Sequence, residues 1–145
     1  MKRLHVHVAV RDLQRSIRFY STLFAAQPTV IKEDYAKWQL DDPRVNFAVS
    51  TRGKKAGLDH LGIQAENEAE LEEIGSRLAQ ADVALTPQKG ASCCYAKSDK
   101  YWTMDPQGIA WESFHTLDSV PVYGQEVRPQ AKEAKAACCA PAMAK

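Results

Sequence analysis

The sequence predicts an α+β fold built from two βαβββ modules, on three observations. Strand, helix and three further strands occur in that order twice along 145 residues. Two histidines on the opening strands, His5 and His60, stand 55 positions apart, and so do the two helix-capping residues, Asp12 and Asn67. Beyond these correspondences the halves share little sequence, so the repeat rests on element order and register.

Residues 4–10 alternate with period two, setting Val6, Val8 and Val10 on a core face and His5, His7 and Ala9 on the other. Asp12 caps a helix whose apolar positions Leu13, Ile17, Tyr20, Leu23 and Phe24 recur at helical spacing until Pro28. Strands follow at 29–32, 35–40 and 45–50, divided by charged and Asp-Asp-Pro turns. The second module opens with a strand at 58–65. Asn67 and Glu70 form a capping box ahead of Leu71, Ile74 and Leu78, and that helix ends near Ala81. Its remaining strands are expected at 84–88, 101–104 and 109–114, the last two joined by the turn Asp105-Pro106-Gln107-Gly108. One domain is expected over 1–116, with module one at about 1–52 and module two at about 56–116. From 117 to 145 the chain becomes polar and alanine-rich, the composition of a flexible tail.

Nineteen basic against eighteen acidic side chains leave a formal charge of +1 without a long like-charged block. That balance argues for a small-molecule partner, with no nucleic acid and no membrane surface. The N-terminal stretch lacks the apolar run of a secretion signal, and no segment reaches the length of a membrane span. A cytoplasmic, reducing setting with free thiols is therefore expected.

The four cysteines form two adjacent pairs, Cys93-Cys94 in module two and Cys138-Cys139 in the tail. Consecutive Cα atoms lie about 3.8 Å apart, below the roughly 4.4 Å minimum of an ordinary disulfide, so neighbours make a poor bridge. Two adjacent thiolates instead suit one large soft atom such as trivalent arsenic or cadmium. Small apolar packing is the plain alternative for the inner pair. Lys97 and Lys100 belong, with Lys89-Gly90-Ala91-Ser92, to the mobile loop expected around the thiols. A cation there lowers a thiol pKa, although solubility alone also explains surface lysines.

The strand at 58–65 sets Leu58, His60, Gly62 and Gln64 on one face, and in the last strand Ala110, Glu112 and Phe114 share a face. Two imidazoles and a carboxylate, from His5, His60 and Glu112, can hold one face of an octahedral ferrous ion or serve catalytic zinc, and ligand types alone do not choose. His7 shares the His5 face and substitutes if the register differs. Each of these residues also has an ordinary reading as a hydrogen-bonded strand side chain.

The stretches His5-Val6-His7-Val8-Ala9-Val10-Arg11-Asp12-Leu13, Ser16-Ile17-Arg18-Phe19-Tyr20, Leu58-Asp59-His60-Leu61-Gly62 and Asp105-Pro106-Gln107-Gly108 before Trp111-Glu112 resemble the vicinal oxygen chelate superfamily. The resemblance covers residues 1 to about 116. With Ala91-Ser92-Cys93-Cys94-Tyr95-Ala96 and a cysteine-pair tail, the chain looks like the organoarsenical carbon–arsenic lyases, a group that includes cadmium-induced proteins. The resemblance implies that paired modules form a cup around Fe(II), held by His5, His60 and Glu112, with Cys93 and Cys94 holding arsenic. It also implies dioxygen-consuming cleavage of methylarsenite or trivalent aromatic arsenicals to arsenite, with formaldehyde as the carbon product of a methyl group. Ala48 aligns with Glu112, so the fourth ligand of some superfamily enzymes is missing. Methyl against aryl preference, and monomer against homodimer, stay open. So do two rival readings. One is a glyoxalase-like isomerase or fosfomycin-modifying thiol transferase, neither of which needs adjacent cysteines. The other is a non-catalytic protein that sequesters arsenic or cadmium.

Overall fold

A computed structural model describes residues 1–53, 55–121 and 124; Cys138 and Cys139 lie outside the described residues. Module one comprises β1 (Arg3–Ala9), α1 (Leu13–Phe24), β2 (Val30–Ile31), β3 (Tyr35–Asp41) and β4 (Arg44–Ser50). Module two comprises β5 (Gly57–Ala65), α2 (Glu68–Gln80), β6 (Thr86–Cys93), β7 (Ala96–Met104) and β8 (Ala110–Ser119). The strands join in one eight-stranded sheet in the order β2-β3-β4-β1-β5-β8-β7-β6. β1 runs parallel to β4 and β5 parallel to β8, while β1 and β5 meet antiparallel at the centre. Each half thus repeats one connectivity, and the sheet is the pair of βαβββ modules in an α+β cup.

The two predicted caps hold their helices. Asp12 accepts from the Arg15 N–H at 2.8 Å and Asn67 from the Glu70 N–H at 2.9 Å, satisfying donors that have no partner inside the helix. The valine face of β1 packs with Leu13, Ile17, Tyr20 and Phe24 of α1 against Trp38, Val45, Phe47 and Val49. This leaves the histidine face of β1 to line the concave side of the sheet. Leu23 corrects the helical reading, for it is 61% exposed. The buried stripe steps from Tyr20 to Phe24, and Leu23 lies one residue, about 100°, off it.

Two further corrections concern module two. β6 and β7 run longer than the strands expected at 84–88 and 101–104, so the residues around the thiols form a hairpin. Lys97 and Lys100 therefore lie on β7, not on a loop. The buried positions of β7 include Ser98 and Lys100, so the apolar alternation that marks a half-buried strand is missing from the sequence. β8 also passes the boundary expected at residue 116, with Asp118 and Ser119 paired to Lys97 and Ala96 and an isolated bridge joining Gly124 to Cys93. Among the described residues no helix is long and apolar enough to cross a membrane.

Candidate active site

Strand register brings the three expected ligands together. His7 pairs with His60 across β1 and β5, and Gly62 pairs with both His5 and Glu112. His5 Nε2 and His60 Nε2 are 3.1 Å apart, and Glu112 Oε2 lies 3.5 Å from the second and 3.8 Å from the first. The point equidistant from three such atoms is about 2.0 Å from each, the length of a zinc–imidazole or zinc–carboxylate bond.

The outer ring nitrogens explain why these atoms point inward. His5 Nδ1 lies 3.0 Å from the Asn46 carbonyl oxygen, and His60 Nδ1 lies 2.6 Å from Asp59 Oδ1. Both partners are acceptors, so when the rings are neutral each Nδ1 carries the proton and each Nε2 presents a lone pair, while protonation of His60 adds a proton at the Nε2 that faces Glu112. A register shift in the β1–β5 pairing leaves Asp59 out of the ladder, and this bulge accompanies the carboxylate's reach to its neighbour's ring. Two lone pairs and a carboxylate oxygen converging in a buried place fit a divalent cation. His7 is the alternative donor foreseen from its position. It forms a second cluster with His5 and His60 whose ligand atoms lie within 4.8 Å of one another, while its Nε2 is 3.0 Å from Ser50 Oγ. The set with Glu112 is the tighter. The position in module one equivalent to Glu112 is Ala48, which pairs with His7 as Glu112 pairs with Gly62 in module two and offers no ligand atom.

Electrostatics keep these groups ready as ligands. Burial, and after it the neighbouring His60, lowers the His5 pKa from 6.5 to about 4, so the ring is neutral at neutral pH. Burial alone would raise the Glu112 carboxyl, yet the Lys100 ammonium and then His60 hold it well below the usual carboxylate range.

The thiol pair depends on a turn. In a regular strand, neighbours point to opposite faces, which would separate the two sulfurs. Cys94 and Tyr95 instead form the two-residue connection between β6 and β7, both left-handed at φ 55° and 61°. Positive φ at both residues is the pattern of a type I′ hairpin, one of the two-residue turns matched to sheet twist, at a cost of about 1–2 kcal/mol for each non-glycine residue. The turn brings Cys94 Sγ to 2.8 Å from Cys93 Sγ. It is fastened across the cup to module one, where the Tyr95 hydroxyl donates to Asp34 Oδ1 at 2.6 Å and Arg52 pairs with the other carboxylate oxygen.

One cavity of about 420 Å³, including its open mouth, is lined by His5, His7 and Glu112 together with Cys93, Cys94 and Lys37. His60 lies behind it, fully buried against His5, His7 and Trp102. Of the two lysines expected near the thiols, Lys97 is exposed and Lys100 is buried against Glu112. The cation that shares the thiols' cavity from module one is Lys37, which the sequence reading missed. Burial lowers its pKa, while Cys94 acts to raise it. Its signal was present, since β3 alternates apolar Ala36, Trp38 and Leu40 with Tyr35, Lys37 and Gln39 on the cup side.

Residues 2–113 match the model of the Glyoxalase/Bleomycin resistance protein/Dioxygenase superfamily. A trivalent organoarsenical cleaving enzyme from Bacillus sp. (strain MD1) is 41% identical over 83% of this chain and 76% of its own length. A protein described as a probable trivalent organoarsenical cleaving enzyme, from Bacillus subtilis (strain 168), is 33% identical over 96% of this chain and 100% of its own length. Among solved structures, the 2,3-dioxygenase LapB from Pseudomonas sp. KL28 superposes with a TM-score of 0.62 at 19% identity, covering 81% of this chain and 42% of LapB. That likeness shows a shared fold.

Proposed function

We propose, for a chain that belongs to the Glyoxalase/Bleomycin resistance protein/Dioxygenase superfamily, that it cleaves the carbon–arsenic bond of trivalent organoarsenicals and releases arsenite in a ferrous, dioxygen-dependent reaction. The observation that carries this reading is one cavity lined by two adjacent thiols together with His5 and Glu112, with His60 packed directly behind His5. Relatives named as organoarsenical cleaving enzymes support the substrate class.

Cys93 and Cys94 bind the substrate by exchange. Two sulfur–arsenic bonds form, two arsenic–hydroxyl bonds break, and the two thiol protons leave with the hydroxyls as water. The arsenic then keeps only its organic group, held beside His5 and Glu112, so that a diffusing encounter becomes an oriented one. His5, His60 and Glu112 would hold Fe(II), which supplies dioxygen activation when bound. The small Ala48 at the fourth-ligand position leaves room there for a reactant. Tyr35, Phe114 and the fastened hairpin wall the cavity and restrict water. For a methyl substituent the overall change balances without another reactant. Methylarsenite and one dioxygen contain together the atoms of arsenite and formaldehyde, with carbon oxidised, dioxygen reduced and arsenic still trivalent.

Cys93→Ser and His60→Ala, each offered Fe(II) without oxygen and then aerated with methylarsenite, are both expected to lose arsenite release. Turnover surviving in Cys93→Ser while lost in His60→Ala would move the site to glyoxalase-like or thiol-transfer chemistry. Stoichiometric arsenic binding by the unaltered protein with no product would leave a sequestering protein.

A further inference from the structure

Lys100 stands on β7 between Ser98 and Trp102, which are also buried. Only 4% of the residue is exposed, and its Nζ lies 2.5 Å from Glu112 Oε1 and 5.9 Å from the centroid of the Trp102 ring. The other carboxylate oxygen, Oε2, is the one that faces His5 and His60. A carboxylate can hold a cation through one oxygen or both, and here a buried ammonium already engages one of them.

Resting on the ligand set assigned above, we propose that Lys100 is a positioning residue that restricts Glu112 to one oxygen on the metal and so keeps a coordination position free for reactants. If Oε1 swung in as well, it would take up one of the places that Ala48 leaves without a protein ligand. Lys100 prevents this by holding Oε1 toward β7. The same ammonium sets a positive charge close to a divalent ion, so the arrangement gives up metal affinity in exchange for an open site.

Co(II) is the probe, with affinity measured by chelator competition and carboxylate binding mode by infrared difference spectroscopy on the full chain. Lys100→Met removes the charge while keeping an unbranched side chain, and Lys100→Arg retains the charge. Lys100→Met is expected to bind Co(II) about tenfold more tightly, from the loss of a nearby repelling charge. The separation of its carboxylate bands should shrink toward the two-oxygen pattern, while Lys100→Arg stays like the unaltered protein. A lysine that only props up Glu112 predicts the opposite, weaker binding after its removal. Weaker or unchanged Co(II) affinity with unmoved bands would overturn the proposal. Should Lys100→Met fail to fold, Lys100→Gln must give the same two results. Neither measurement uses an arsenical or dioxygen, so failure here leaves the lyase reading standing, whereas absence of Co(II) binding in the unaltered protein would remove both.

Discussion

Gly62→Ala tests whether strand packing sets the metal geometry. Gly62 sits on β5 between the two strands that carry the other ligands, opposite His5 on β1 and Glu112 on β8. A Cβ built there would lie 2.3 Å from the Glu112 carbonyl oxygen, 3.2 Å from its carbonyl carbon and 3.3 Å from His5 Cδ2. The first contact is with backbone and cannot be relieved by a side-chain rotation. Restoring ordinary packing distances requires β5 and β8 to part locally by about 1 Å. Overpacking of this kind costs about 1–3 kcal/mol of stability. A metal site tolerates only about 0.2 Å of ligand displacement, so the loss of affinity should exceed the loss of stability, by roughly tenfold or more. Chelator competition with Fe(II) or Co(II) measures the first quantity, and thermal unfolding of metal-free protein the second. Unchanged metal affinity in a folded Gly62→Ala protein would refute the claim that this glycine lets His5 and Glu112 approach.

Asp59→Asn leaves His60 with a weaker acceptor at Nδ1 and should lower metal affinity about tenfold or more with little change in fold, read in the same competition assay. Metal-free stability should depend on His5. The unfolded chain takes up the proton near pH 6.5 and the folded one only near pH 4, so stability is full above about 6.5 and falls as pH drops toward 4. The fall approaches about 3 kcal/mol, and His5→Asn should flatten it in melting curves across that range. A flat profile in the unaltered protein would contradict a neutral, buried His5. Tyr95→Phe removes the hydroxyl that fastens the thiol turn to Asp34, and should cost about 1 kcal/mol and speed alkylation of Cys94. Equal alkylation rates would show that the fastening does not restrain the turn.

The repeat was legible because its signals are local. Asp12 and Asn67 cap their helices through side chains three residues from the donors they satisfy, and valines alternating with histidines mark the two faces of β1. His5 and His60 were legible as a pair because they stand at matching positions of equivalent strands, and Glu112 joined them because strand alternation sets it on a face that can share their surface. Other features depend on long-range pairing. The hairpin of β6 and β7 lacks an apolar alternation because its inward side faces a polar cup, so Lys100 read as a surface lysine although it is buried against a residue twelve positions away. The alternation of β3 sets Lys37 on the cup side, but its spacing from Cys94 does not announce that it shares the thiols' cavity from the other module. The convergence of the two sulfurs arises from a left-handed pair at Cys94 and Tyr95, where no glycine or asparagine signals such a turn.

The most direct measurement is a staged reaction. The protein is loaded with Fe(II) under anaerobic conditions, methylarsenite is added, arsenic species are separated by chromatography, and dioxygen is then admitted. Arsenite should be absent before oxygen enters and should appear afterwards, about one per site in the first turnover. Arsenite formed without oxygen, or none formed with it, would contradict the account.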